Sequence, residues 1–288
     1  MKILITGANG LLGSRVAGYL SKEHEVYAIV RKIPDVKIHD VKYHVVDFSR
    51  NWSFYGLPDQ VDTIIHLAQS DNFRNFPEKA LDIFLVNVDS TARLLEYARL
   101  VKASKFIYAS SGGVYGCGNT EFDENSPLGL HDELGYYLGS KLCGEILVQN
   151  YTSCFNVIAL RLFFVYGPKQ NRSMLIPRLI DNIKSKQKIY LNGPDGIKIN
   201  PIHVNDAAES LVKSLNLNSS YKINIAGFEV LSIKQIATII GSKLGVEPFF
   251  EINELKQKNL IANIDLMKDM LISPSIPFTD GVECLIHN

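Results

Sequence analysis

The sequence predicts an α/β fold: a doubly wound parallel sheet with a smaller, mixed α/β lobe at its C-terminal end. Three observations predict it. Short apolar runs alternate with helical patterns as far as Tyr166. A glycine-rich turn, TGANGLLGS, joins the first run to the first helix. Beyond Tyr166 the rhythm changes to short strands and helices in no fixed alternation.

Residues 2–6 form an apolar run ending in glycines, which reads as a buried strand. A helical pattern follows at 11–20. Apolar runs at 26–30, 43–46, 63–67, 106–109 and 157–162 continue the series, and helical patterns between them are clearest at 78–101 and 134–151. Strands of this kind need helices on both faces of a parallel sheet, which is a Rossmann-like arrangement. In the last third, YGPKQNRS reads as a loop and MLIPRLIDNIKSK as a helix. KIYLNGPDGIKI reads as two short strands around a Gly-Pro-Asp-Gly turn. NDAAESLVKSL reads as a helix capped by Asn205 or Asp206, and YKINIAG as a strand. SIKQIATIIGSKLG reads as a helix capped by Ser232, and EPFFEI as a last strand. The expected division is a dinucleotide-binding domain over 1–165, with 202–226 returning to it, and a substrate-binding lobe over 166–288. Ligands of doubly wound folds lie outside the carboxyl ends of the strands, so this lobe is expected to close over them.

Composition narrows the partners. The chain has 288 residues, 46% of them hydrophobic, with 30 Lys+Arg balanced by 30 Asp+Glu. Zero net charge without a long basic run argues against nucleic acid or an anionic membrane surface as the main partner. No stretch is long and apolar enough to span a bilayer. Cys117, Cys143, Cys154 and Cys284 show neither CxxC nor metal spacing, so they read as free thiols and no metal is expected. The N-terminus runs straight into a strand without a signal peptide. The expected location is cytoplasmic.

The motifs point to a cofactor and a proton carrier. Gly7, Gly10 and Gly13 stand at GxxGxxG spacing between strand and helix, where a backbone can approach a pyrophosphate and a helix N-terminus can face it. Tight turns and close helix packing use glycines in the same way. The second strand ends in Arg31 and Lys32, cations that suit a 2′-phosphate and favour NADP(H) over NAD(H), or that stand solvated. Asp47 is placed to accept from an adenine amino group, or to cap a helix. In GYYLGSK only Tyr137 lies four residues before Lys141, so on a helix those two share a face, while Tyr136 points about 100° away.

Together these stretches resemble the extended short-chain dehydrogenases/reductases, also called the NAD-dependent epimerase/dehydratase family. The resemblance runs along nearly the whole chain: TGANGLLG, HLA at 66–68, Asn87 in VNVDSTARLL, SSGGVYG, YLGSK, LRLFFVYGP, HVNDAA and NIAG. It implies a nicotinamide cofactor, a Ser/Thr–Tyr–Lys catalytic set, and nucleotide-activated sugars as the commonest substrates. By position, Ser111 takes the Ser/Thr role, and Tyr137 and Lys141 match the YxxxK pair. The implied cofactor contacts are Gly7, Asn9, Gly10, Leu11, Leu12 and Gly13 in the loop, Arg31, Lys32, Asp47 and Phe48 at the adenosine end, and Leu67, Ala68 and Asn87 beside Tyr137 and Lys141. Residues 166–168 match the loop beside the nicotinamide. The implied substrate contacts are Ser111, Gly112, Phe164, Arg178 and Lys198. Relatives often dimerise through two helices, here 81–101 and 134–151, so a homodimer is expected.

A phenol titrates near pH 10, and a nearby ammonium lowers that value. Lys141 is expected to do so, letting Tyr137 take or give a proton on a substrate oxygen while hydride moves at the adjacent carbon. The Ser111 hydroxyl would orient that oxygen; it equally suits a strand-end bond to the backbone. Family dehydratases follow their Ser/Thr with an acid-bearing pair. Gly112 and Gly113 stand there and transfer no proton, so dehydration is disfavoured. Cys117 and His131 are candidates for an enediolate acid/base pair or plain loop residues. Two reactions are expected: 4-epimerisation through a transient ketone, or net reduction of a 4-keto-sugar. Phe164 stands where nucleotide-sugar relatives carry an asparagine, and Ile199 and Asn200 stand where they carry a diphosphate-binding arginine. Lys198, Arg178 or Arg172 would supply the missing charge. The alternatives are an NADPH-dependent reductase of a non-nucleotide carbonyl and a dinucleotide sensor without turnover.

Overall fold

Seven apolar runs become seven strands of one parallel sheet: β1 (Lys2–Thr6), β2 (Glu25–Val30), β3 (Val41–Val45), β4 (Thr63–His66), β5 (Lys105–Ser111), β6 (Asn156–Leu162) and β11 (Tyr221–Ile225). The structure, a computed structural model, describes residues 1–255 and 258–286, without the side chains of 131–133. The strand order is β11-β6-β5-β4-β1-β2-β3, so the winding reverses between β1 and β4. Their carboxyl ends open a crevice there.

Alternate residues along each strand feed opposite faces of the sheet. Ile3, Ile5, Ile65, Ile107 and Ile158 pack under α1 (Leu11–Leu20) and α6 (Val204–Lys213). Leu4, Ile29, Ile64, Phe106 and Val157 pack under α3 (Ser90–Leu100) and α4 (His131–Gln149). Each such side chain, fully buried, contributes about 1.5–3 kcal/mol. A third cluster joins α5 (Leu175–Lys184), α7 (Ile233–Leu244) and α9 (Phe278–Gly281) in the C-terminal region.

Several elements differ from the sequence reading. The helix expected over 78–101 is three pieces: α2 (Ala80–Phe84), a π-helical turn (Leu85–Asp89) and α3. α4 is broken at Gly135, whose φ of 66° and ψ of 175° are not helical. The α6 cap is neither Asn205 nor Asp206. His203 caps it, its Nδ1 accepting from the Asn205 amide at 3.3 Å, while Asp206 accepts from the amides of Ser275 and Ile276 at 3.1 and 3.0 Å. Ser232 does cap α7, in a reciprocal pair with Gln235.

The two strands around the Gly-Pro-Asp-Gly turn, β8 (Ile189–Asn192) and β9 (Lys198–Ile199), do not pair with each other. β8 pairs with β13 (Phe250–Asn253) and β9 with β12 (Leu231–Ser232). β7 (Val165–Tyr166) pairs with β10 (Ile202–His203). Three short helices were not legible: α8 (Asp265–Met270), α9 and α10 (Glu283–Ile286). Helices of one turn or so carry almost no periodic signal.

Candidate active site

At the crevice the glycine loop brings three backbones into contact. Gly7 has φ 68°, and a Cβ there would lie 2.8 Å from the Ala68 amide and 2.9 Å from the Leu67 carbonyl carbon. A Cβ on Gly13 would lie 2.2 Å from the Gly7 oxygen. Neither position tolerates a side chain: Gly7 lets the loop run against the backbone after β4, and Gly13 lets α1 pack on the loop. Gly10 caps α1 without a side-chain hydrogen bond. The first-turn N–H groups of Leu11, Leu12 and Gly13 therefore keep their positive end toward the crevice. A dinucleotide fits this geometry.

The adenosine end is less open than the sequence suggests. Arg31 is ion-paired with Asp71, both exposed. Lys32 is exposed, and its carbonyl accepts from Asn9 Nδ2 at 2.6 Å. Asp47 accepts from the Ser49 hydroxyl at 2.7 Å and sits 3.3 Å from Arg50; the Ser49 bond foremost holds its carboxyl below the usual range. Phe48 is buried against Trp52, with 4.9 Å between ring centroids, so its side chain belongs to the core.

α4 restarts after Gly135 and immediately presents the two tyrosines. Tyr136 stacks on Phe76 at 4.8 Å, whereas the Tyr137 ring lies 5.0 Å from Phe73. The Tyr137 hydroxyl donates to Gln69 Oε1 at 3.0 Å. One turn later Lys141 is 3% exposed, its Nζ donating to the Ala109 carbonyl at 3.0 Å and lying 5.5 Å from the Tyr108 ring centroid. Burial pushes the Lys141 ammonium down to about 8. Burial raises the Tyr137 phenol, and Arg74 opposes that rise. In the protein alone, then, the phenol is not lowered as the pairing with Lys141 led one to expect.

Ser111 ends β5 two residues beyond Ala109, so Lys141 ties α4 to the strand end that carries the serine. Its Oγ accepts from the Gly113 amide at 3.2 Å. A Cβ on Gly112 would strike the Phe163 ring at 2.3 Å, and one on Gly113 would meet Leu138 at 2.6 Å. A side chain at either position would require Phe163 or Leu138 to move.

Asn87, in the π-helical turn, is a brace. Its Oδ1 accepts from the Ser70 amide at 2.9 Å, and its Nδ2 donates to Ser140 Oγ at 2.9 Å, which in turn donates to the Tyr137 carbonyl at 2.6 Å. Turns of this type recur at functional sites. His66, from the HLA stretch, lies between Thr6 and Thr91 at 2.7 and 3.0 Å, and burial foremost, then Lys141, pushes its pKa down to about 3.

Sequence reasoning missed four residues. Gln69 and Ser140 touch Tyr137. Glu145 and Arg161 form a buried pair whose closer contact is Nη2 to Oε1, with Nε–Oε2 at 3.2 Å. Ser110 donates to Glu145 at 2.7 Å, and Arg161 donates to the Tyr115 hydroxyl at 2.6 Å. The one available signal was that Glu145 lies four residues beyond Lys141.

The substrate candidates are divided. Phe164 has φ 42°, a region that costs most side chains of order 1–3 kcal/mol, and it packs against both the sheet and the C-terminal cluster. Ile199 and Asn200 are buried, and the Asn200 amide exchanges bonds of 2.9 and 3.0 Å with the backbone of Ala262. Lys198 is exposed, and Arg172 is committed to Asp181. Among the described residues Arg178 has no such partner, and it lines a cavity of about 330 Å³ between α5 and β8, with Asn182, Lys188, Tyr190 and Asn192. Cys117 is exposed, and the side chain of His131 lies outside the described residues.

Comparison with known proteins agrees with this geometry. The model of the NAD dependent epimerase/dehydratase family matches residues 3–226. An uncharacterized UDP-glucose epimerase, YtcB, of Bacillus subtilis (strain 168) is 26% identical over 307 residues, covering 98% of this chain and 96% of that protein. A dTDP-D-glucose 4,6-dehydratase of Dictyostelium discoideum is 26% identical over 268 residues, covering 83% of this chain; the match spans 61% of that relative's length. Among solved structures, UDP-glucuronic acid 4-epimerase from Bacillus cereus in complex with UDP-glucuronic acid and NAD has a TM-score of 0.87 and 25% identity, covering 100% of this chain and 98% of that one.

Proposed function

We propose, since the chain belongs to the NAD dependent epimerase/dehydratase family, that it is an NAD(P)-dependent enzyme acting at a carbinol or keto carbon of a nucleotide-activated sugar. The reaction that fits best is 4-epimerisation. One observation carries this reading: Tyr137 and Lys141 on one face of α4, beside the strand end of Ser111, at the crevice where Gly7 meets Ala68. When bound, the cofactor supplies hydride acceptance and return. Tyr137 moves the proton at the substrate oxygen. Ser111, whose hydroxyl hydrogen is not used by the Gly113 amide, orients that oxygen. Lys141 holds positive charge beneath them. Phe73 and Phe76 pack against the rings of Tyr137 and Tyr136.

The cavity beside Arg178 supports a nucleotide moiety, because it offers cations, amides and an aromatic ring in a space of about 330 Å³. Ile199 and Asn200 are taken up by structure, so Arg178 carries that role, with Lys188 beside it in the lining. The crowding at Gly112 and Gly113 speaks against dehydration.

A second reading, 4-keto-sugar reduction with NADPH, is favoured by Arg31 and Lys32. Pairing of Arg31 with Asp71 weakens it, since that cation is already balanced. The division into a cofactor-binding domain over 1–165, to which 202–226 return, and a substrate lobe over the rest of 166–288 belongs to the same reading, supported by the separate core cluster of α5, α7 and α9. So does a homodimer, supported by exposed Leu81 and Phe84 on α2, Leu100 on α3 and Ile146 on α4. The cofactor that co-purifies separates the two reactions. Tightly held NAD fits epimerisation; an empty site that prefers NADPH fits reduction.

A further inference from the structure

Gln69 follows directly on Ala68 at the end of β4 and is exposed. The Tyr137 hydroxyl donates to its Oε1 at 3.0 Å. The backbone beneath it is fixed: the Ser70 amide donates to Asn87 at 2.9 Å, and the Ser70 hydroxyl donates to Asp82. Asn87 also reaches α4 through Ser140 at 2.9 Å. The loop that carries Gln69 and the helix that carries Tyr137 thus share one brace, and Phe73 presses on the Tyr137 ring from the same loop.

We propose that Gln69 is a positioning residue for Tyr137: its amide directs the phenolic hydroxyl and sets that hydroxyl's hold on its proton. The inference rests on the proposed function only in taking Tyr137 as the proton carrier. An amide oxygen only accepts, so it matches the phenol; an amide NH₂ only donates, so it matches the phenolate. A half-turn about the last side-chain torsion exchanges the two without moving backbone. In alcohol oxidation the substrate O–H proton would pass to the phenolate oxygen and the C–H hydride to the bound cofactor; in the return step the phenol would give the proton back to the oxygen and hydride would come back to the opposite face of the ketone, which inverts the carbon. Gln69 takes no proton in either direction and changes only the end it presents. A reaction that visits both states of Tyr137 in every turnover, as reversible epimerisation does, gains most from such a partner. Of the charged or titratable groups around it, Arg74 from the same loop acts on the Tyr137 phenol and Tyr108 from β5 is electrostatically coupled to it, while Lys141 of α4 directs its Nζ to the Ala109 carbonyl. The hydroxyl's own hydrogen bond goes to Gln69, whose amide can reorient.

The test is a titration of tyrosine 13Cζ resonances in the whole protein, with Tyr137 identified by the signal lost in Tyr137→Phe. Gln69→Lys, which only donates, should bring the midpoint down by at least about one pH unit, and Gln69→Glu, which only accepts, should not lower it. A Gln69→Lys midpoint within one unit of wild type, or still beyond the top of the titration, overturns the proposal. If Gln69→Lys fails to fold, Gln69→Met decides: kcat should fall at least about tenfold with KM within about twofold, and an unchanged kcat overturns the proposal. The titration needs no substrate, so its failure counts against Gln69 alone. Absence of wild-type turnover with every nucleotide sugar counts against the proposed function alone.

Discussion

Tyr137 and Lys141 are one turn apart yet make different contacts. The lysine is buried against a β5 carbonyl, and the tyrosine reaches the loop after β4. Tyr137→Phe should lower kcat by about 10²–10⁴ with the fold intact, read by steady-state assay and thermal melt. Lys141 also leaves a mark on stability. Its folded pKa of about 8 lies below the ordinary 10.5. Between those values the unfolded chain holds the proton and the folded chain does not, so stability should rise with pH across that window. In Lys141→Met the rise should be absent, as urea unfolding at pH 7.5, 9 and 10.5 would show. His66 acts in the same sense at lower pH. With a folded value of about 3 against 6.5, stability should fall as pH drops through 6.5 and keep falling toward 3. His66→Asn should flatten that part of the curve. That Tyr137 and Lys141 stand one turn apart on α4 was legible because their spacing fixes it. Gln69 was not, because an exposed loop glutamine has no sequence signal; its role follows only from where β4 ends.

At the scale of elements, the glycine loop and the α4–β5 joint carry the site. A methyl group on Gly7 has no space against Ala68 and no favourable backbone at φ 68°. Gly7→Ala should therefore weaken NAD binding at least about tenfold by calorimetry. The buried pair of Glu145 and Arg161 joins α4 and β6, with Ser110 of β5 as third member. Replacing only Arg161 by Met leaves a buried carboxylate unpaired and should cost about 3–5 kcal/mol, lowering the melting temperature by about 10 °C. The strands and α1 could be read from the sequence because apolar runs and glycine turns are local signals. The break at Gly135, the π-helical turn around Asn87 and the pairing of β8 with β13 could not. Each depends on partners distant in the chain, and the helical pattern over 78–101 is the same with or without one extra residue in a turn.

At the scale of the whole molecule, the strand order reverses between β1 and β4, and a separate cavity lies beside Arg178; the proposed function assigns the first to the cofactor and the second to the nucleotide of the substrate. UDP or dTDP at about 100 times its Kd should stabilise the protein by about 2.7 kcal/mol in a thermal-shift assay, and Arg178→Ala should abolish most of that. The family's usual arginine position gave no help, because Asn200 there secures Ala262; only the three-dimensional cavity singles out Arg178. Among the described residues no helix is long and apolar enough to cross a membrane. The central claim is that Tyr137 moves a proton during cofactor-dependent 4-epimerisation of a nucleotide sugar. Its most direct test is NMR of a panel of UDP- and dTDP-sugars incubated with wild type and with Tyr137→Phe. Inversion at C4 without net cofactor reduction by the wild type, slowed at least about 100-fold in the variant, is the predicted result. No inversion of any sugar by the wild type, or equal rates in the two proteins, would contradict it.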